Sequence, residues 1–232
     1  MSRNAIHGYP LELIVSRETS KHMTDLPPLS KDEFADTLGG VPEEILLRLD
    51  GYLAALKKWQ KAINLVGPKT LHDPWRRHLL DCAQVAQDIG ATDKVVDLGS
   101  GAGLPGLIIA IMTGADVHLV ESDHRKSTFL REAARVTDTL VTVHAERAEE
   151  IPPIGADVVT ARALAPLPRL LPWVHRHLKK GGKSYLLKGS DVDQELTLAG
   201  KEWTMTTSRK PSVSDPSGTV LHVSALAPID VR

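Results

Sequence analysis

The apolar residues in the first third of the chain recur at helical spacing. Between 42 and 63 they form one buried stripe, and Pro42 suits the first turn of that helix. A second helix is predicted over 73–90, with Asp73 as its N-cap and a stop at a glycine. We therefore expect residues 30–90 to form a helical extension packed on a larger core.

The spacing changes at Lys94, where short apolar runs begin to alternate with longer amphipathic segments. Alternating strands and helices predict a parallel, doubly wound sheet. One amphipathic segment, 166–182, is predicted to be a helix closed by glycines. The predicted strands lie at 94–99, 116–122, 140–146, 156–164 and 183–189.

Two further apolar runs, 203–209 and 219–225, lie on either side of the turn-forming sequence SVSDPSG. They predict a C-terminal hairpin that adds one antiparallel strand at the edge of the sheet. The fold class predicted for 91–232 is therefore α/β: a Rossmann-like, mostly parallel, doubly wound sheet with a C-terminal antiparallel hairpin.

The first residues, 1–29, are expected to be a poorly ordered tail. The pair His22-Met23 is typical of a cloning seam, and a mis-set start codon is the alternative. The apolar run LELIV is too short for a signal peptide and contains Glu12. No run approaches the roughly 20 apolar residues that a membrane span needs. We expect a cytoplasmic protein with no membrane partner.

Composition narrows the choice of partners and cofactors. The chain of 232 residues has a net charge of −1, so a nucleic acid would have to be held by a local basic patch. Its single cysteine, Cys82, excludes an internal disulfide and any cysteine-based zinc or iron–sulfur site. No metal is predicted.

The sequence VVDLGSGAGLPG at 95–106 carries the strongest chemical signal. Glycines in this density after a strand let a ligand approach the backbone closely. The loop fits the dinucleotide pattern G-x-G-x-x-G and also the pattern D-x-G-x-G-x-G that begins at Asp97. The candidate ligands are therefore a dinucleotide and S-adenosylmethionine (SAM).

Two residues of the loop favour SAM, and a third supports either ligand. Asp97 can meet the ammonium group of SAM, directly or through water, whereas Pro105 removes an N–H that a diphosphate would use. Glu121 follows the second predicted strand, where a carboxylate accepts hydrogen bonds from ribose hydroxyls. An adenosine-containing cofactor is therefore predicted, and SAM is favoured.

The fourth predicted strand ends in TARAL, which should face the substrate. It offers neither the Asn/Asp-Pro-Pro motif used to methylate adenine amines nor the cysteine used to methylate pyrimidine carbon-5. These side chains suit a nucleophile that needs no activation, such as guanine N7. No catalytic base is predicted. Arg162 can position the cofactor or guanine O6; the alternative is a structural arginine that closes a salt bridge.

Six motifs together resemble one family. They are WRRHLLDC, GSGAGLPG, LVESDHRKSTFLRE, HAERAEE, DVVTARALAPL and GGKSYLLKG, and the similarity runs from roughly Leu46 to Leu226. The family is RsmG (GidB), the small-subunit ribosomal RNA methyltransferases that make 7-methylguanosine in the 530 loop of 16S rRNA. The resemblance implies a Rossmann-like, SAM-dependent methyltransferase of guanine N7, acting on a 30S subunit or an assembly intermediate.

The resemblance also assigns site residues. With the loop and ribose residues above, the cofactor set comprises Gly99, Gly101, Leu104, Glu121, Ala148, Glu149 and Arg162. In HAERAEE, Glu146 competes with Glu149 for the family's acidic position. RNA contacts are expected at Arg76, Arg77, His78 and Lys188, although His78 can instead be a core histidine bonded to backbone. The alternative functions are an NAD(P)-dependent oxidoreductase and a non-catalytic, RNA-associated protein that binds SAM or a nucleotide.

Overall fold

The protein is described by a computed structural model over residues 26–230. One seven-stranded sheet has the order β3-β2-β1-β4-β5-β7-β6. All pairings from β3 through β5 are parallel, and β7 pairs antiparallel with both β5 and β6. The strands are β1 (Lys94–Leu98), β2 (Asp116–Val120), β3 (Val141–His144), β4 (Ala156–Arg162), β5 (Leu178–Lys188), β6 (Trp203–Pro211) and β7 (Thr219–Pro228).

Helices cover both faces of this sheet, as the doubly wound prediction requires. Neighbouring residues of β1 face opposite layers: Val95 packs into one core and Val96 into the other, and both are fully buried. This explains why apolar residues occupy consecutive positions in the strand. The helices are α1 (Lys31–Thr37), α2 (Glu43–Trp59), α3 (Asp81–Ala86), α4 (Gly106–Thr113), α5 (His124–Val136), α6 (Leu167–His177) and α7 (Val192–Ala199).

The N-terminal helices share one hydrophobic core with the sheet. Leu49 and Leu56 of α2 belong to the same buried cluster as Ile108 of α4 and Val158 of β4. Helix α1, which the apolar spacing did not single out, begins with a capping box in which Ser30 and Glu33 bond each other's backbone. The extension is therefore packed on the sheet rather than standing apart from it.

The predicted tail 1–29 lies partly outside the described residues, which begin at 26. Within the described part, the backbone N–H of Leu29 donates to Asp73 Oδ1 at 2.9 Å. The guanidinium of Arg76 donates to the carbonyl of Pro27 at 3.0 Å. Residues 27 and 29 thus make hydrogen bonds to the second helical segment.

The helix predicted over 73–90 has a different geometry. A 3₁₀ turn, Pro68–His72, lies just before it. Within the predicted range, Trp75–Leu80 is π-helical, and the α-helical part, α3, ends four residues before Gly90. Such π turns are concentrated at functional sites because they displace side chains from the regular helical positions. Periodicity of 3.6 residues could not predict this widening.

One other boundary, and the position of one strand in the sheet, were wrong in the sequence prediction. Helix α6 ends at His177 rather than at the glycines, because Leu178 already pairs with Ala156 and opens β5. The antiparallel strand of the hairpin, β7, lies one position in from the edge, and β6 is the edge strand. In both places pairing with distant strands decides the outcome over local signals.

Candidate functional site

The glycine loop follows β1 and is shaped by close contacts. Gly99 has a φ of +66°, and a Cβ at this position would lie 2.5 Å from Leu164 Cδ1. At Gly106, which starts α4, a Cβ would lie 2.5 Å from the Cβ of Asp97. A larger residue at Gly106 would clash with β1, and one at Gly99 would have to adopt a left-handed backbone conformation and displace the side chain of Leu164.

Glu121, at the end of β2, supports the loop from the opposite side. Its Oε2 accepts a hydrogen bond from the backbone N–H of Gly101 at 2.9 Å, and Oε1 accepts one from Asp123 at 2.8 Å. Only 8% of the residue is exposed. Each carboxylate oxygen can accept a further bond, so the group can still receive two ribose hydroxyls.

Asp97 lies beneath the loop and not on the surface of the cleft, so direct contact with a ligand's ammonium group is not supported. Its side chain is fully buried, and Oδ1 accepts a 2.8 Å bond from the Thr160 hydroxyl. Oδ2 has no hydrogen-bond partner among the described residues. Burial raises the pKa of Asp97 to about 6, against the effect of the hydrogen bonds.

The seven residues of the predicted cofactor set line one cleft above the carboxyl ends of β1, β2 and β4. The cleft has a volume of about 400 Å³, which falls in the range of small-molecule sites. The glycine backbone, the Glu121 carboxylate and an apolar wall supply the groups that an adenosine cofactor would contact. The predicted residues on this lining are Gly99, Gly101, Leu104, Glu121, Ala148, Glu149 and Arg162.

The segment after β3 forms another wall of the cleft. The carbonyl of Ala148 bonds His177 Nε2 at 2.8 Å, which fixes this segment to the end of α6. Glu149 is exposed, and Glu146, the competing acid, lines the same cleft. The structure therefore places both acids at the site and does not choose between them.

Arg162 ends β4 and forms the salt bridge that the structural alternative predicted. It forms a 3.0 Å ion pair with Asp81 of α3, and its guanidinium also donates to the carbonyl of Arg77 at 3.3 Å. It nevertheless lines the cleft. The side chain is thus locked in place by structural contacts while one surface faces the space where a ligand would bind.

A second cavity of about 780 Å³ adjoins the first. The two share Leu65 and the segment 162–164, so they meet at Arg162. Of the predicted RNA residues, Arg77, His78 and Lys188 line this second cavity. Arg76 does not: it pairs with Asp73 at 2.8 Å on the side toward the N-terminal segment.

His78 is a buried histidine whose two ring nitrogens both have partners. Nε2 lies 2.8 Å from the Thr70 hydroxyl, and Nδ1 lies 3.4 Å from Arg162 Nη2. Burial, reinforced by the charge of Arg162, lowers the pKa of His78 to about 3. The ring is therefore neutral, and Nδ1 is the acceptor toward Arg162.

Sequence analysis did not predict the acidic and hydroxyl residues that line the second cavity. Asp81, Glu195, Ser214 and Asp215 line it. Asp215 pairs with Arg77 at 2.7 Å, across 138 positions of sequence. No local motif marks these residues, because only the folded chain brings the turn before β7 against α3.

Within residues 26–230, no cluster of three or more potential ligands could hold a metal ion. In the same range, no helix is both long enough and apolar enough to cross a bilayer.

Comparison with solved structures identifies the fold. A SAM-dependent methyltransferase from Aquifex aeolicus superposes with a TM-score of 0.52, covering 68% of this chain and 95% of that one, at 18% sequence identity. At this identity the similarity concerns the fold alone, and it confirms the Rossmann-like methyltransferase architecture.

Closer relatives are found by sequence. The ribosomal RNA small subunit methyltransferase G of Paramagnetospirillum magneticum is 57% identical over 189 residues, covering 81% of this chain and 92% of the relative. The protein of the same name from Rhodospirillum rubrum is 51% identical over 187 residues, covering 80% of this chain and 93% of the relative. The family model GidB, rRNA small subunit methyltransferase G, matches residues 46–222. The chain therefore belongs to this family, as its motifs predicted.

Proposed function

We propose that this protein transfers the methyl group of SAM to N7 of a guanosine in the 530 loop of 16S rRNA. One observation carries the proposal: the cleft lined by the seven residues of the predicted cofactor set adjoins a second cavity at Arg162, and that cavity is lined by Arg77, His78 and Lys188. A donor in the first space and a base in the second would meet at this point.

The cleft fits SAM by the chemistry of its groups. The Glu121 carboxylate suits the ribose hydroxyls, and the positive-φ backbone at Gly99 and Gly101 lets the donor approach the loop. Leu104 and Ala148 supply apolar surface for an adenine ring. When bound, SAM supplies an electrophilic methyl group on a positively charged sulfur.

The protein's task is alignment rather than proton transfer. Guanine N7 has a lone pair and no hydrogen, so the new carbon–nitrogen bond forms as the carbon–sulfur bond breaks, and the positive charge passes to the base. No general base is needed. Arg162, held by Asp81 and by the carbonyl of Arg77, fixes the wall between the two cavities and so the approach of the reactants.

The proposed substrate is the small subunit or an assembly intermediate, in the cytoplasm. The chain carries a net charge of only −1, which provides little general attraction for free RNA. Arg77 and Lys188, which line the second cavity, are each already paired with a carboxylate. Ribosomal proteins and the folded rRNA would then have to present the loop.

The test is methylation mapping. Small subunits from a strain lacking the gene are incubated with the purified protein and labelled SAM, then digested and analysed by mass spectrometry and primer extension. We expect one new 7-methylguanosine in the 530 loop, formed faster on subunits than on protein-free 16S rRNA. A deletion strain whose 7-methylguanosine level matches the parent would refute the proposal, and equal rates on both substrates would refute the subunit preference.

A further inference from the structure

Lys188 and Glu195 form an ion pair on the wall of the second cavity, away from the glycine loop. Lys188 ends β5 and Glu195 lies in α7, and Lys188 Nζ is 2.5 Å from Glu195 Oε2. Their side chains are only 9% and 19% exposed. Both line the cavity that meets the cofactor cleft at Arg162.

Each member of the pair keeps hydrogen-bonding capacity. Lys188 Nζ donates to the carbonyl of Ala165 at 3.0 Å and to Glu195, which leaves one of its three donors. Glu195 Oε2 also accepts from the backbone N–H of Leu167 at 2.8 Å. Its other oxygen, Oε1, accepts no hydrogen bond from residues 26–230.

We infer that this pair reads the Watson–Crick edge of the target guanine, an inference that rests on the proposed function. Guanine presents O6, an acceptor, next to N1–H and the N2 amino group, which are donors. The free donor of Lys188 matches O6, and Glu195 Oε1 matches the two donors. Adenine presents the opposite order at the first two positions and would leave both protein groups without partners.

The position of the pair agrees with the geometry of the reaction. N7 and the Watson–Crick edge lie on different sides of a purine, with O6 between them. Leu187, next to Lys188, is the register partner of Arg162 across β4 and β5. A base can therefore point its N7 toward the junction at Arg162 while its O6 lies on the side of β5, toward Lys188.

Base analogues at the target position test this reading. Small subunits are reconstituted around 16S rRNA that carries guanosine, inosine or 2-aminopurine riboside at the methylated position. Inosine lacks the N2 amino group, and 2-aminopurine lacks O6 and the N1 proton, but both keep N7. Single-turnover methyl transfer is measured with wild-type protein, Glu195→Gln and Lys188→Met, and with Asp193→Asn as a control in the same helix.

We expect the wild-type protein and Asp193→Asn to methylate guanosine about tenfold or more faster than inosine, since one hydrogen bond to a charged group is lost. In Glu195→Gln this ratio should fall toward one. In Lys188→Met the preference for guanosine over 2-aminopurine should shrink.

A pair that only holds Ala165 and Leu167 in place would lower thermal stability in the variants without changing these ratios, and that result would overturn the inference. If a variant fails to fold, the rates of the wild-type protein test the inference. Equal wild-type rates on guanosine and inosine also overturn it. Failure of wild-type protein to methylate guanosine would instead refute the proposed function itself.

Discussion

The phenolic hydroxyl of Tyr52 donates a 2.7 Å hydrogen bond to the carbonyl of Ala102, in the middle of the glycine loop. Tyr52 belongs to α2 in the N-terminal extension and is fully buried, and its ring packs at 6.5 Å from that of Phe129 in α5. The extension thus reaches under the loop and supplies a partner for a backbone group that has left β1. This contact couples the two parts of the chain.

Replacing Tyr52 by phenylalanine removes only the hydroxyl. The buried carbonyl of Ala102 then lacks this partner, so we expect the free energy of unfolding to fall by about 1–3 kcal/mol. Binding of S-adenosylhomocysteine should weaken as the loop loosens. Urea unfolding and calorimetric titration measure the two effects. Unchanged stability and affinity would show that the extension does not support the cofactor loop.

Glu121→Ala removes the carboxylate that holds Gly101 and Asp123 and that would accept the ribose hydroxyls. Charge-assisted hydrogen bonds contribute roughly 1.5–3 kcal/mol each, so affinity for S-adenosylhomocysteine should fall roughly 10- to 100-fold. Glu202→Ala, at an exposed acid after α7, is the matched control and should bind as wild type. Equal affinities for both variants would place the adenosine somewhere else.

The cofactor cleft could be predicted from sequence because its signals are local. The glycines after β1 and the acid after β2 each adjoin a strand end, and parallel strands bring their carboxyl ends to one edge of the sheet. The second cavity could not be predicted in the same way. Asp81, Glu195 and Asp215 come from α3, α7 and the turn before β7, and they line one cavity only in the folded chain.

The same distinction between local signals and long-range contacts applies to the helices and strands. All seven strands were expected near their observed positions, because apolar runs bounded by turn residues carry that information. The end of α6 was wrong because pairing of Leu178 with Ala156 outweighs the stop signal at Gly181 and Gly182. Helix α1 had a readable signal in the Ser30–Glu33 capping box, but it is too short for apolar periodicity to reveal.

Arg162→Lys should slow methyl transfer while keeping the positive charge. The guanidinium reaches Asp81, the carbonyl of Arg77 and His78 at once, which needs a planar group with several donors. An ammonium cannot make all three contacts, so the wall between the cavities would shift. We expect the single-turnover rate at saturating SAM to fall roughly 10- to 100-fold.

The control for this experiment is Arg135→Lys, which alters a mostly exposed arginine paired with Glu132. It should methylate subunits at the wild-type rate. A rate for Arg162→Lys within twofold of wild type would mean that charge alone suffices and that the fixed geometry of Arg162 is not needed.

The neutral state of His78 predicts how stability changes with pH. Its folded pKa, about 3, lies below the ordinary value of 6.5, mainly because burial disfavours the charged ring. Between these two values the unfolded chain binds a proton that the folded chain does not. This residue therefore lowers the free energy of unfolding as pH falls from 6.5 toward 3, by up to about 1.4 kcal/mol per pH unit.

His78→Asn removes this proton linkage, so its stability should fall less steeply than that of wild type below pH 6.5. Above pH 7.5 the histidine is neutral in both states, and the difference in stability between the two proteins should be constant there. Urea unfolding at intervals from pH 4.5 to 8 measures both curves. Parallel curves over the whole range would mean that the folded protein takes up the proton at His78, and hence that the bond from Arg162 does not hold the ring in its neutral form.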